Sequence, residues 1–106
     1  MVVPSGYISQ AQIAAEIERV KQKLGPEVVH LKYSLRPDTS DEPSIYFKIV
    51  LADSASRPRE NLGKVSQRII TLFFDELHPY ENWGLNPYFN FRSQSEHESL
   101  NDPAWA

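Results

Sequence analysis

The 106-residue chain has no cysteine, which excludes disulfide frameworks, cysteine-ligated zinc, thiol catalysis and iron–sulfur ligation together. Glycine is scarce. The four residues, at positions 6, 25, 63 and 84, are too scattered to build a glycine-rich phosphate loop. No apolar run is long enough to span a bilayer, and the opening MVVPSGYISQ lacks the basic region and apolar stretch of a signal peptide. A cytoplasmic protein without a membrane role is therefore expected. Positive charge is in deficit: 11 Lys plus Arg stand against 14 Asp plus Glu, a net charge of −3. That balance gives no global attraction to nucleic acid, so any such role must come from a local patch. Nucleophile-elbow, EF-hand, RNP and GXXG patterns are all missing.

What is present suits a single domain over residues 1–106, since 41% hydrophobic content fills one modest core. Ser9 and Gln12 have capping-box spacing, with Ile8 and Ile13 placed as a hydrophobic staple. Ile13, Ile17, Val20 and Leu24 then form a helical stripe that Gly25, as a left-handed cap, and Pro26 should end. This predicts a helix over 9–24. Alternation of Val29, Leu31, Tyr33 and Leu35 with His30, Lys32, Ser34 and Arg36 predicts a strand over 27–36. Ile45, Phe47, Ile49 and Leu51 alternating with Tyr46, Lys48 and Val50 predict a second over 44–52, paired antiparallel with the first.

Pro58 opens a predicted helix over 58–77, in which Gly63 suggests close packing. Its apolar residues, Leu62 to Leu77, spread over about 200° at 100° per residue, wider than one sheet contact requires. Helix 1 or a second subunit should cover the excess, with Phe74 at the edge of the arc. YENWGLN reads as a loop, PYFNFRS as a strand over 87–93, and 94–106 as a polar tail opening with a helical turn capped by Ser95 and Glu98. The expected fold is an α+β two-layer sandwich in the order α-β-β-α-β, with a three-stranded mixed sheet and both helices on one face. The proline-free alternation of strand 1 favours a central place for it, hence strand order 2-1-3.

The other sheet face then displays His30, Lys32, Ser34, Arg36, Tyr46, Lys48, Val50, Tyr88, Asn90 and Arg92, basic and aromatic with no acid. Lys32, Arg36, Tyr46, Lys48, Tyr88, Asn90 and Arg92 are the candidate binding-face residues. Cations beside tyrosines suit single-stranded RNA, through stacking and phosphate contacts, but a solvated strand face whose long stems shield the pleat accounts for them first, with a protein or small anionic ligand as the remaining reading. The histidines at 30, 78 and 97 form no legible catalytic constellation, and His78 reads as a helix C-terminal residue. Neither Asp38, Asp41 and Glu42 nor Glu96, His97, Glu98 and Asp102 has a metal-binding pattern. No cofactor, metal or catalytic residue is assigned. Trp105, one residue from the end, is too large to leave in water and should dock on its own domain or a partner.

The segments YSLRPD, IYFKIVLADSAS, PYFNFRSQSE and DPAWA resemble those of small uncharacterised bacterial proteins, over residues about 27–106. The resemblance implies a partner-binding role and transfers no functional residue. The leading expectation is a small non-enzymatic module acting through a protein partner or as a homodimer, with Phe74 and Trp105 as interface candidates. Nucleic-acid binding is the alternative, and an enzyme or ligand-binding domain the third reading.

Overall fold

The strand with apolar residues on both of its sides becomes the centre of the sheet. A computed structural model of the chain describes residues 10–56 and 59–105. Strands β1 (Val28–Pro37), β2 (Pro43–Leu51) and β3 (Asn86–Ser93) lie in the order β1-β2-β3. β1 and β2 are antiparallel and β2 and β3 parallel. The strand directions are as expected, but the order 2-1-3 is not: β2 is central. Helices α2 (Asp53–Ser56), α3 (Arg59–Leu77) and α4 (Pro79–Trp83) form the crossover, which returns the chain beside the strand it left. Ile45, Phe47, Ile49, Val50 and Leu51 are all 0% exposed, so β2 is buried on both faces. The adjacent apolar pair Val50-Leu51 was the available signal, because central strands approach continuous apolar runs. The prolines were a weaker guide, since Pro37 and Pro43 pair with each other at the end of the hairpin.

Helix α1 (Gln10–Lys21) and α3 pack on the face of Phe47. Ile13, Ile17 and Val20 from α1, with Ile69, Phe73 and Leu77 from α3, join β2 in one core. Phe73 and Phe89 both stack on Phe47, at 4.8 and 5.1 Å between ring centroids. Arg19 of α1 and Lys23, just beyond its end, both pair with Glu76 of α3. Phe74 remains 42% exposed, touching Phe89 with ring centroids 6.0 Å apart.

Several local expectations are corrected. Helix α1 ends at Lys21, short of Leu24, with two turn bonds, Lys23 N–H to Val20 O and Leu24 N–H to Lys21 O, running on from it. Gly25 is not left-handed. A Cβ there would lie 2.2 Å from the Glu27 carboxylate, so a side chain at this position would require the end of Glu27 to move aside. A Cβ on Gly63 would meet nothing within 4 Å, so that glycine serves no close packing. A bulge at Val29 shifts the register, pairing Val28 with Leu51. Val28 therefore packs on the core, and Val29 is 44% exposed instead of inward. YENWGLN is largely helical: Pro79 opens α4, and left-handed Gly84 ends it with its N–H on Tyr80 O. His78 is also left-handed, φ 43°, joining α3 to α4. Ile8, Ser9 and Pro58, on which the first cap, the staple and the start of the long helix were read, lie outside the described residues.

The segment read as a polar tail is structured. Helix α5 (Gln94–Leu100) is followed by a 3₁₀ turn, Pro103–Trp105. Its capping box is formed by Ser93 and Glu96, two residues before the Ser95–Glu98 pair that had the same spacing. The real box starts where the strand ends, because Ser93 keeps an extended backbone, φ −76° and ψ 160°.

Candidate binding face of the sheet

Alternation along three paired strands turns one residue in two away from the helices, and the register aligns them in rows. Across β1, β2 and β3 the rows are Arg36–Ser44–Asn86, Ser34–Tyr46–Tyr88, Lys32–Lys48–Asn90 and His30–Val50–Arg92. The candidate residues thus share one face. With β2 central, Lys48 lies between Lys32 and Asn90; the flanking of Lys32 by Lys48 and Arg92, expected from strand order 2-1-3, does not occur. Arg92 stands one row away.

The aromatic row is internally ordered. Tyr46 and Tyr88 stack with centroids 5.0 Å apart and planes at 16°. The Arg36 guanidinium lies 4.0 Å from the Tyr46 ring centre, a cation–π contact. At the opposite end the Tyr88 hydroxyl donates to Asp38 Oδ2 at 2.7 Å. Asp38 is itself fixed by the hairpin turn, where its Oδ1 accepts the N–H groups of Ser40 at 2.8 Å and Glu42 at 3.0 Å. The Tyr88 bond, then the Glu42 and Ser40 backbone bonds, hold the Asp38 carboxyl below the usual range. The same bond to Asp38 pushes the Tyr88 phenol up. A chain of contacts therefore runs Arg36, Tyr46, Tyr88, Asp38. Sequence reasoning finds the first three; Asp38 enters it only as a residue without a metal-binding pattern, and nothing in its local spacing reveals a partner 50 residues away.

The far end of the face is closed. Arg92 lies 4.2 Å from the Trp105 ring centre and 3.4 Å from Asp102 Oδ2. Trp105 is 6% exposed, so its ring is consumed by its own domain, one of the two placements expected for it. His30 stacks on His97 of α5 with centroids 5.7 Å apart. Ser95 anchors α5 through its N–H on Asp53 Oδ1 at 3.0 Å and its hydroxyl on Asp53 Oδ2. Lys32 and Lys48 are half-buried and Tyr88 is 41% exposed, which leaves the first three rows as the accessible part of the face.

No family model, curated protein or solved structure matches the chain. Among the described residues no helix is long and apolar enough to cross a membrane.

Proposed function

We propose that the chain is a non-enzymatic binding module whose first three rows dock on an acidic surface of a partner protein. One observation carries the reading: the Arg36–Tyr46–Tyr88 stack is ordered in advance and anchored by Asp38. Tyrosine and arginine dominate binding energy at protein interfaces, and side chains already held in place lose less entropy on binding. Lys32 and Lys48, paired across β1 and β2 in the adjoining row, add positive charge and favour an acidic counterpart.

The same geometry weighs against base stacking. A ring that accepts a nucleobase needs a free face, and Tyr46 carries Arg36 and Tyr88 against it. Tyr88, on the edge strand β3, stacks on Tyr46 and is 41% exposed.

The test is site-specific photocrosslinking in cells from position 88, followed by binding of the purified captured protein at low and moderate salt. Tyr88→Ala and the Lys32→Gln/Lys48→Gln double variant should each weaken that binding at least about tenfold, and salt should weaken it further. Equal affinity for the natural chain and both variants would overturn the proposal. Titration with a single-stranded oligonucleotide, read by amide shifts in the same rows, decides for nucleic acid if it succeeds where the protein fails.

A further inference from the structure

The closed end of the face holds a feature that the binding proposal does not use. Three nitrogens, His30 Nε2, His97 Nδ1 and Arg92 Nη1, are buried with no hydrogen-bond partner among the described residues. They lie where β1, β3 and α5 meet, His30 and Arg92 in one row across Val50 and His97 stacked on His30. A neutral imidazole carries one N–H and one lone pair, and a lone pair without a donor is a modest cost. Protonation makes both ring nitrogens donors, so a buried nitrogen would then carry N–H and charge towards no acceptor.

The surrounding charges are of both signs. Arg92 is fixed in the same row, Lys32 and Lys48 stand in the next, and Lys21 of α1, paired with Glu18, lines the cleft beside His30. The neighbouring carboxylates already have donors: Asp102 takes Arg92, Asp53 takes Ser95, and Glu96 takes Ser93. Glu98, next to His97 on α5, is exposed to solvent. Two imidazolium rings stacked at 5.7 Å beside a guanidinium would repel one another, and the nearby carboxylates, whose charge the neutral serine donors do not cancel, offset part of this without giving the buried ring nitrogens an acceptor.

We infer that the segment from α5 to Trp105 is an acid-released clasp. The neutral His30–His97 stack holds it against the fourth row, and protonation of the pair displaces it. Acid favours the state that binds more protons, and in the displaced state both rings meet water. Release uncovers Val50, now 0% exposed, and frees Arg92 from Trp105 and Asp102. The face would grow from three rows to four. The clasp stands on its own geometry, whatever the first three rows bind.

Fluorine NMR of the full chain carrying 5-fluorotryptophan tests it, because the two tryptophans, Trp83 and Trp105, give separable resonances that Trp105→Phe assigns. Between about pH 7.5 and about pH 5, spanning the range in which imidazole takes its proton, the Trp105 signal should gain the solvent-isotope shift of an exposed indole. Trp83 should not move. His97→Phe retains a ring to stack but does not titrate, and should keep Trp105 docked at both pH values; His30→Gln provides a second non-titrating chain. A Trp105 signal unchanged at low pH overturns the clasp. So does an equal change in His97→Phe, or a joint change of Trp83 and Trp105, which would report global unfolding.

Discussion

The two faces of the sheet are made by the same three strands yet are held by different physics. On the helix side, Ile45, Phe47, Ile49 and Leu51 are fully buried against α1 and α3, and apolar area removed from water does the stabilising. On the other side, burial comes from pairing: Tyr46 with Tyr88, Arg36 with Tyr46, Arg92 with Trp105, His30 with His97. The first face is continuous, and the second is divided into a closed end and an open one. Strand alternation thereby separates what folds the chain from what it can present. All three strands contribute to both faces, and β2 is the most buried because it alone has a strand on each edge.

The largest effect should come from breaking the continuous face. Phe47→Ala removes a ring in contact with Phe73 and Phe89 and leaves a cavity, at a cost of about 3–5 kcal/mol in denaturant unfolding. A cost below about 1 kcal/mol would mean that the core closes around the gap, and the contrast between the faces would fail. Trp105→Ala comes next. It removes a buried indole and its guanidinium contact at the closed end, for about 2 kcal/mol, and should leave the helix–sheet core intact by circular dichroism. No loss of stability would show that this end is not held by Trp105.

How much of this division could be read from the chain alone depends on the range of the interaction. Period-two alternation in LKYSL and IYFKI assigned faces correctly, because side-chain direction is local. It failed at Val28 and Val29, where one bulged residue reverses the phase. Strand order is missed because a proline-free strand is compatible with a central place without requiring one, whereas the adjacent apolar residues of β2 mark burial on both faces. At the candidate face, Tyr46, Tyr88 and Arg36 were identified by type and phase. The links that order them were not: Tyr88 to Asp38, His30 to His97 and Ser95 to Asp53 join residues far apart in sequence, and no spacing rule reaches across a folded loop.

Phe74 sits outside both regimes, exposed at the rim of the helix layer and leaning on Phe89. Its replacement by Glu should cost only about 1 kcal/mol in a single chain, since much of the ring is already in water. The expectation that it lies in a homodimer contact requires light scattering to give a mass of two chains for the natural protein and one for Phe74→Glu. A monomer in both cases would remove Phe74 from the interface and leave the open rows as the sole proposed docking surface.

The smallest effect concerns the anchor of the aromatic row, and it is resolved by pH. Asp38 has its carboxyl lowered from 3.8, first by the Tyr88 hydroxyl, so its contribution to stability is present above that unfolded value and is lost as pH falls through the lower folded one. Tyr88 has its phenol raised from 10.0 by the same bond, so its contribution is complete below that value and disappears as pH rises through the raised one. Tyr88→Phe should therefore flatten the stability profile at both extremes while leaving the Tyr46 stack in place. In carboxyl-carbon NMR, Asp38 should titrate closer to its ordinary value in that variant. Because both groups are exposed to solvent, the change in overall stability at neutral pH should be slight. An Asp38 titration identical in the two chains would assign its lowered value to the hairpin's own donors, the Glu42 and Ser40 backbone N–H groups and the Ser44 hydroxyl. The hairpin turn would then fold without gripping Tyr88, and the open face would lose the preorganisation that distinguishes it from an ordinary solvated strand surface.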